Sequence, residues 1–266
     1  MILNNILVHK RREVEHLKRR YSLKRLIQGV EKRSTEDRRA FQKRVTTNHG
    51  IKIIAEIKKA SPSEGVILSG FDPVRLAQRY QNSGADAISV LTEHIYFFGH
   101  MSLLRQIREN CTLPVLRKDF IMDPYQIWQS AYYNCDAILL ISSILTNDEL
   151  KSFIKLSSEL NIDTLVEAHS EQDLKKAIDC GAKLLGINNR NLATLSMNPY
   201  NVENLFRRVP KHVDVVAESG YSSHNELLKL TGLGIHTFLI GTSILKSADP
   251  GAKLKELKGI ATHESH

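Results

Sequence analysis

From residue 51 onward, short apolar runs alternate with segments in which apolar residues recur every three or four positions. The runs are Ile51–Glu56, Ala87–Leu91, Pro114–Lys118, Asp136–Ile141, Asp163–Glu167, Lys183–Ile187, Val213–Glu218 and His236–Ile240, eight in all. Most are nearly continuous, as in Ile53-Ile54-Ala55 or Val213, Val215, Val216 and Ala217. A strand buried on both faces reads this way, whereas a strand with one wet face alternates. The pattern therefore predicts a parallel sheet covered by helices.

The intervening segments carry helix signals. Asp72-Pro73 supplies a cap residue and a first-turn proline ahead of Leu76, Ala77 and Tyr80. Asn147 is predicted to start another helix, with Leu150, Phe153, Ile154 and Leu156 on its apolar side. Ser170 followed by Asp173 resembles a capping box leading into Leu174, Ala177 and Ile178. Glycines end the segments at Gly84, Gly181 and Gly232/Gly234. Eight strand–helix units in series close most simply into a (β/α)8 (TIM) barrel, which typically needs about 250 residues. The rival, an open doubly wound sheet, lacks the GxGxxG turn expected after its first strand. The chain is read as one domain over residues 1–266. Residues 1–47 form an N-terminal helical extension predicted to cover one mouth of the barrel, and residues 51–258 form the barrel.

Composition narrows the class. The chain has 266 residues, 42% of them apolar and 25% charged, with a net charge of +8. Residues 1–45 hold 14 Lys/Arg against 5 Asp/Glu, so the excess lies in the extension. A basic arm raises nucleic acid as a partner. The apolar spacing of Leu17, Leu23, Leu26 and Ile27 instead favours a solvated amphipathic helix, and no nucleic-acid motif follows, so no nucleic-acid partner is expected. No apolar run reaches the roughly 18 residues of a membrane span, and the N-terminus lacks a secretory pattern. Three widely spaced cysteines, Cys111, Cys135 and Cys180, point to neither a disulfide framework nor a zinc site, which suits a cytoplasmic enzyme.

Barrel chemistry gathers at the C-terminal ends of the strands. Ionisable and amide side chains stand there in number: Glu56, Lys58 and Lys59 after the first strand, Glu93 after the second, and Arg117-Lys118-Asp119 at the third. Glu167-Ala168-His169 follows at the fifth, Asn188-Asn189-Arg190-Asn191 at the sixth and Glu218-Ser219-Gly220 at the seventh. Each alone is an ordinary solvated strand end; together they predict a site. Glu56 and Lys58, two apart, share a face. Lys118 and Glu167 are predicted to meet across the mouth as an acid and a base. Gly241-Thr242-Ser243 after the eighth strand suits a phosphate, which barrels often bind beside their seventh and eighth strands.

At these residues the chain resembles the indole-3-glycerol-phosphate synthase family. The resemblance is carried by Ile54-Ala55-Glu56-Ile57-Lys58-Lys59-Ala60-Ser61-Pro62-Ser63, Ser89-Val90-Leu91-Thr92-Glu93, Val115-Leu116-Arg117-Lys118-Asp119-Phe120 and Leu165-Val166-Glu167-Ala168-His169. It continues through Gly186-Ile187-Asn188-Asn189-Arg190-Asn191-Leu192, Ala217-Glu218-Ser219-Gly220 and Leu239-Ile240-Gly241-Thr242-Ser243. It implies a carboxy-lyase of tryptophan biosynthesis that converts 1-(2-carboxyphenylamino)-1-deoxyribulose 5-phosphate to indole-3-glycerol phosphate, using no metal or organic cofactor. Lys118, Glu167, Lys58, Glu56, Asn188 and Glu218 would be catalytic. Ser61, Phe97, Phe120, Leu139, Arg190, Leu192 and Ser219 would contact the substrate, and Gly220, Gly241, Thr242 and Ser243 would hold its phosphate. His169 is read as a strand-end polar residue without a metal partner, and a monomer is the default expectation. Two departures stand out: His100 where the family has a small residue, and Tyr221, read as packing, where it has an aliphatic. A phosphoribosylanthranilate isomerase, the rival barrel enzyme, would need a cysteine at a strand end, and none is predicted there.

Overall fold

A computed structural model describes residues 2–31, 40–46, 50–68 and 70–260. Eight parallel strands form a closed barrel: β1 (Lys52–Ile57), β2 (Ala87–Leu91), β3 (Val115–Lys118), β4 (Ala137–Ile141), β5 (Asp163–Ala168), β6 (Leu184–Asn188), β7 (Asp214–Glu218) and β8 (Thr237–Ile240). Each pairs with its neighbours in sequence, and β1 closes onto β8, with Ile54 opposite Leu239. All eight expected strands are present, and no boundary moves by more than a residue or so.

The continuous apolar runs are explained by two cores. Ile54, Leu116, Leu139, Leu165, Val216 and Leu239 point inward and pack with one another. Their neighbours Ile53, Val115, Ile138, Val166, Val215 and Phe238 point outward and pack with the helix layer. Nearly every residue of a strand thus leaves water.

Helix ends follow the local chemistry with one correction. Asp72 caps α4 (Pro73–Asn82) through Arg75 N at 3.0 Å, with Pro73 in the first turn. The helix expected to start at Asn147 does so, with Thr146 as its cap. Thr146 and Glu149 form the reciprocal box of α7 (Asn147–Glu159), Thr146 N donating to Glu149 at 2.7 Å. At α8 (Glu171–Asp179), Ser170 accepts from Asp173 N, but the Asp173 carboxylate accepts from His169 N instead of returning to the cap. An aspartate is one methylene shorter than the glutamate that closes such a box. Gly84, Gly181 and Gly234 have φ of +89°, +90° and +103°, the left-handed conformation that lets the chain leave a helix.

The extension departs most from expectation, because it reaches both ends of the barrel. Helix α1 (Ile2–Arg20) lies at the C-terminal mouth, where Leu3 and Ile6 face the cavity. Helix α2 (Leu23–Glu31) packs on α6 (Pro124–Tyr132). Helix α3 (Phe41–Val45) closes the opposite end. There Gln42 N donates to Asp163 at 2.8 Å and Gln42 Nε2 to Asp214 at 3.2 Å, while Thr237 donates to the Val45 carbonyl. Asp163, Asp214 and Thr237 each begin a strand. Residues 1, 32–39 and 47 of the extension lie outside the described residues.

Candidate active site

The strand ends bring the expected charges together around one ammonium. Lys118 Nζ lies 3.7 Å from Glu167, 3.8 Å from Glu218 and 3.9 Å from Glu56. Lys58 Nζ donates to Glu56 at 2.6 Å, as strand alternation requires. Burial opposes the charge on Lys118, but Glu167, Glu218 and Glu56 outweigh it and hold the ammonium well above the ordinary lysine range. Lys118 is therefore a cation at any physiological pH.

The two deepest carboxyl groups diverge. Burial favours the acid form of both, and both side chains are almost wholly enclosed. For Glu167, Lys118 and His169 overcome burial, and the carboxylate is held well below its usual range. His169 is thus more than a strand-end polar residue, since its Nε2 stands 3.0 Å from Glu167 Oε1. For Glu218, burial and the negative charge of Glu167 reinforce each other and push the carboxyl well above its usual range. Like charges that approach one another disfavour double ionisation, and in this pair the higher proton affinity lies on Glu218. None of the four carboxyl oxygens has a well-aligned hydrogen bond within the protein. Glu56 is held low by Lys58 and Lys118 against the effect of burial.

Above these groups opens a cavity of about 390 Å³, within the range of small-molecule sites. Glu56, Lys58, Lys118, Asn188, Glu218, Ser61, Phe97, Phe120, Arg190, Leu192, Ser219, Gly220, Gly241, Thr242 and Ser243 line it. Two expected residues do not. Glu167 is enclosed at the cavity's edge, 3.7 Å from Lys118, and Leu139 belongs to the inward-facing core, in the same apolar cluster as Phe97, Phe120 and Leu192.

Local structure explains several placements. Glu93 is a brace: its carboxylate accepts from Ile95, Tyr96 and Phe97 N at 3.0, 2.7 and 3.0 Å, curling the loop that presents the Phe97 ring. His100 caps the exposed start of α5 (Met101–Asn110) through Ser102 N, away from the cavity. Ser219 and Gly220 both adopt left-handed backbone, φ +65° and +93°. Asn189, buried and facing away from the barrel interior, holds that turn. Its Nδ2 donates to Ser219 O and to Tyr221 Oη, each at 3.1 Å, and its Oδ1 accepts from Val202 N. Tyr221 stacks edge-on against Phe238, as a packing residue would, but it also lines the cavity, and its carbonyl accepts from Ser243 Oγ at 2.8 Å. Gly241 is small for a steric reason, because a β-carbon there would strike the Glu56 carboxyl.

The sequence reading missed Leu3, Ile6, Leu195 and Met197, which also line the cavity. For Leu3 and Ile6 the signal was present as helical spacing, but nothing local says which end of the barrel that face meets. The cysteines lie at the other end: Cys111 and Cys135 precede β3 and β4, and Cys180 caps α8 ahead of β6. Among the described residues, no group of three or more His, Cys, Asp or Glu side chains is placed to hold a metal ion. Nor is any helix long and apolar enough to cross a membrane.

Fold and site define a (β/α)8-barrel enzyme with a lysine ringed by three carboxyl groups at its C-terminal mouth. The solved 3-hexulose-6-phosphate synthase from Salmonella typhimurium superposes with a TM-score of 0.63 at 15% identity, over 79% of this chain and 98% of that one. The solved KGPDC from Streptococcus mutans gives 0.62 at 14%, over 80% and 97%. At these identities the likeness is one of fold. Sequence goes further. The family model for indole-3-glycerol phosphate synthase matches residues 3–257, and the chain belongs to that family. The indole-3-glycerol phosphate synthase of Acetivibrio thermocellus is 40% identical over 260 residues, 98% of this chain and 100% of that protein. That of Campylobacter curvus is 45% identical over 208 residues, 78% of this chain and 80% of the relative.

Proposed function

We propose that the chain is a carboxy-lyase of tryptophan biosynthesis, converting 1-(2-carboxyphenylamino)-1-deoxyribulose 5-phosphate to indole-3-glycerol phosphate, CO2 and water. The observation that carries this reading is the Lys118 ammonium, ringed by three carboxyl groups at the floor of a cavity with an apolar wall and a glycine-rich rim. In the first step the ring carbon bearing the carboxylate attacks the ketone carbon, and negative charge grows on the ketone oxygen. Lys118 gives that oxygen a proton. Loss of CO2 returns the electron pair to the ring and restores aromaticity. The new hydroxyl then leaves as water with a proton from Lys58, and Glu167 takes the proton released in that dehydration.

Phe97, Phe120 and Leu192 would flank the aromatic ring, with Leu139 supporting them from below. Lys58 and Arg190 would meet the substrate carboxylate. Asn188 and Ser219 would bond its hydroxyls, and Ser61, Gly220, Gly241, Thr242 and Ser243 would hold the phosphate. The scheme loses CO2 and water and draws on no cofactor. A cytoplasmic monomer suits it; light scattering should return about 30.1 kDa, the mass of one chain, and twice that value would overturn the monomer.

The test is to supply the substrate and follow indole fluorescence. Turnover by the wild-type chain is expected, and its absence would sink the proposal. K118A and E167Q should each lower kcat by about 10²–10⁴-fold, the usual range for a positioned acid or base. Near-normal turnover in a folded variant would refute the role given to that residue.

A further inference from the structure

Lys10 is 1% exposed, and the chemistry above does not use it. An enclosed ammonium is strongly disfavoured unless it is paired, so its surroundings call for a reason. Its Nζ lies 2.9 Å from Asp119 Oδ1 and 2.8 Å from Glu13 Oε2. Asp119 sits between Lys118 and Phe120, the central ammonium and part of the cavity wall. The remaining bonds of Asp119 are internal to the barrel: it accepts from Thr92 Oγ1 at 2.7 Å, Arg117 Nη2 at 2.9 Å and Phe120 N at 2.9 Å. On α1, Leu3, Ile6 and Lys10 follow at helical spacing and share one face. The first two of them are cavity wall.

We infer that the buried Lys10–Asp119 ion pair is a latch that seats the first half of α1 on the end of β3, making Lys10 a positioning residue for substrate binding. The far half of the helix is held separately. Lys18 bonds Asp123 at 2.6 Å, and Tyr125 Oη donates to the carbonyls of Leu17 and Tyr21. Releasing Lys10 therefore loosens the part that carries Leu3 and Ile6 while the rest of α1 stays docked. The latch acts on the cavity through those two apolar side chains, so its loss acts first on affinity. The inference rests on the proposed reaction only where affinity for that substrate is the readout.

The test is K10M in the full chain, with K10R beside it, read by steady-state kinetics and by hydrogen exchange. Asp119 keeps Arg117, Thr92 and its own strand end, so K10M should fold. Its KM is expected to rise about tenfold or more with a smaller change in kcat, the signature of lost binding. Amides of residues 2–13 should exchange faster while those of β1–β8 do not, and K10R should recover most of both effects. An unchanged KM, or faster exchange spread equally through the barrel strands, would overturn the latch. Should the wild-type chain fail to turn over the substrate, the proposed reaction falls by itself; exchange in residues 2–13 still decides the latch, and no difference between wild type and K10M would end it.

Discussion

Gly186 stands in the middle of β6, where a β-carbon would run into the Glu218 carboxyl and reach Leu165 Cδ1 at 3.4 Å. The glycine therefore creates the space that the Glu218 carboxyl occupies. Gly186→Ala should cost about 1–3 kcal/mol by overpacking, and turnover should drop as Glu218 is displaced. Shortening the partner relieves the clash, so G186A/E218A should be more stable than the two single losses predict. Thermal melts of the four proteins check this, and strict additivity would show that the two side chains do not compete. The charged members of the site, Lys118, Glu167, Glu56 and Lys58, were legible because strand alternation aims them inward. Gly186 was not, since its role lies in the barrel's cross-section, which no local pattern expresses.

The helices of the extension do different work at opposite ends. Phe41 and Val45 are fully buried under the N-terminal ends of the strands, far from Lys118 in the barrel's length. Phe41→Ala should cost about 3–5 kcal/mol of stability by opening a cavity. Its kcat and KM at a temperature where it stays folded should be close to wild type; a selective rise in KM would place α3 in the binding machinery. Deletions that remove the whole extension would confound this stabilising role with any role of the cavity-facing α1. The helices within the barrel, by contrast, were readable nearly to their ends, because Asp72, Ser170 and the glycines after α4 and α8 act on their own neighbours. Thr146 and Glu149 close a box around the expected start at Asn147, while Asp173 spends its carboxylate on His169 N and leaves the box at Ser170 half made.

Taken as a whole molecule, the barrel encloses carboxylates whose proton affinity changes on folding. Asp119, buried beside Lys10 and Arg117, is held well below the ordinary range, as are Glu167 and Glu56. A group depressed on folding contributes stability above its unfolded pKa, and that contribution is lost as pH falls through the folded value. Glu218 has the opposite sign: its contribution is present below the ordinary carboxylate range and is lost as pH rises through its raised folded value. Three against one makes acid the destabilising direction. D119N should therefore melt well below wild type at pH 7, with the gap narrowing by pH 3 as Asp119 approaches protonation in the unfolded chain. Paired melts at the two pH values test this, and a gap that widens in acid would refute it.

The order of apolar and polar residues was enough to determine eight strands, their ends and the barrel, because burial on both faces writes itself into every position of a parallel strand. It also determined which charges stand at the catalytic end, since a strand end is a local event. Tertiary structure alone decided that Leu3 and Ile6 join the cavity wall, that Phe41 seals the far end, and that Lys10 finds Asp119. Those outcomes depend on contacts between segments a hundred or more residues apart. A helical period shows that a face will be buried, and only the closed barrel supplies the surface that buries it.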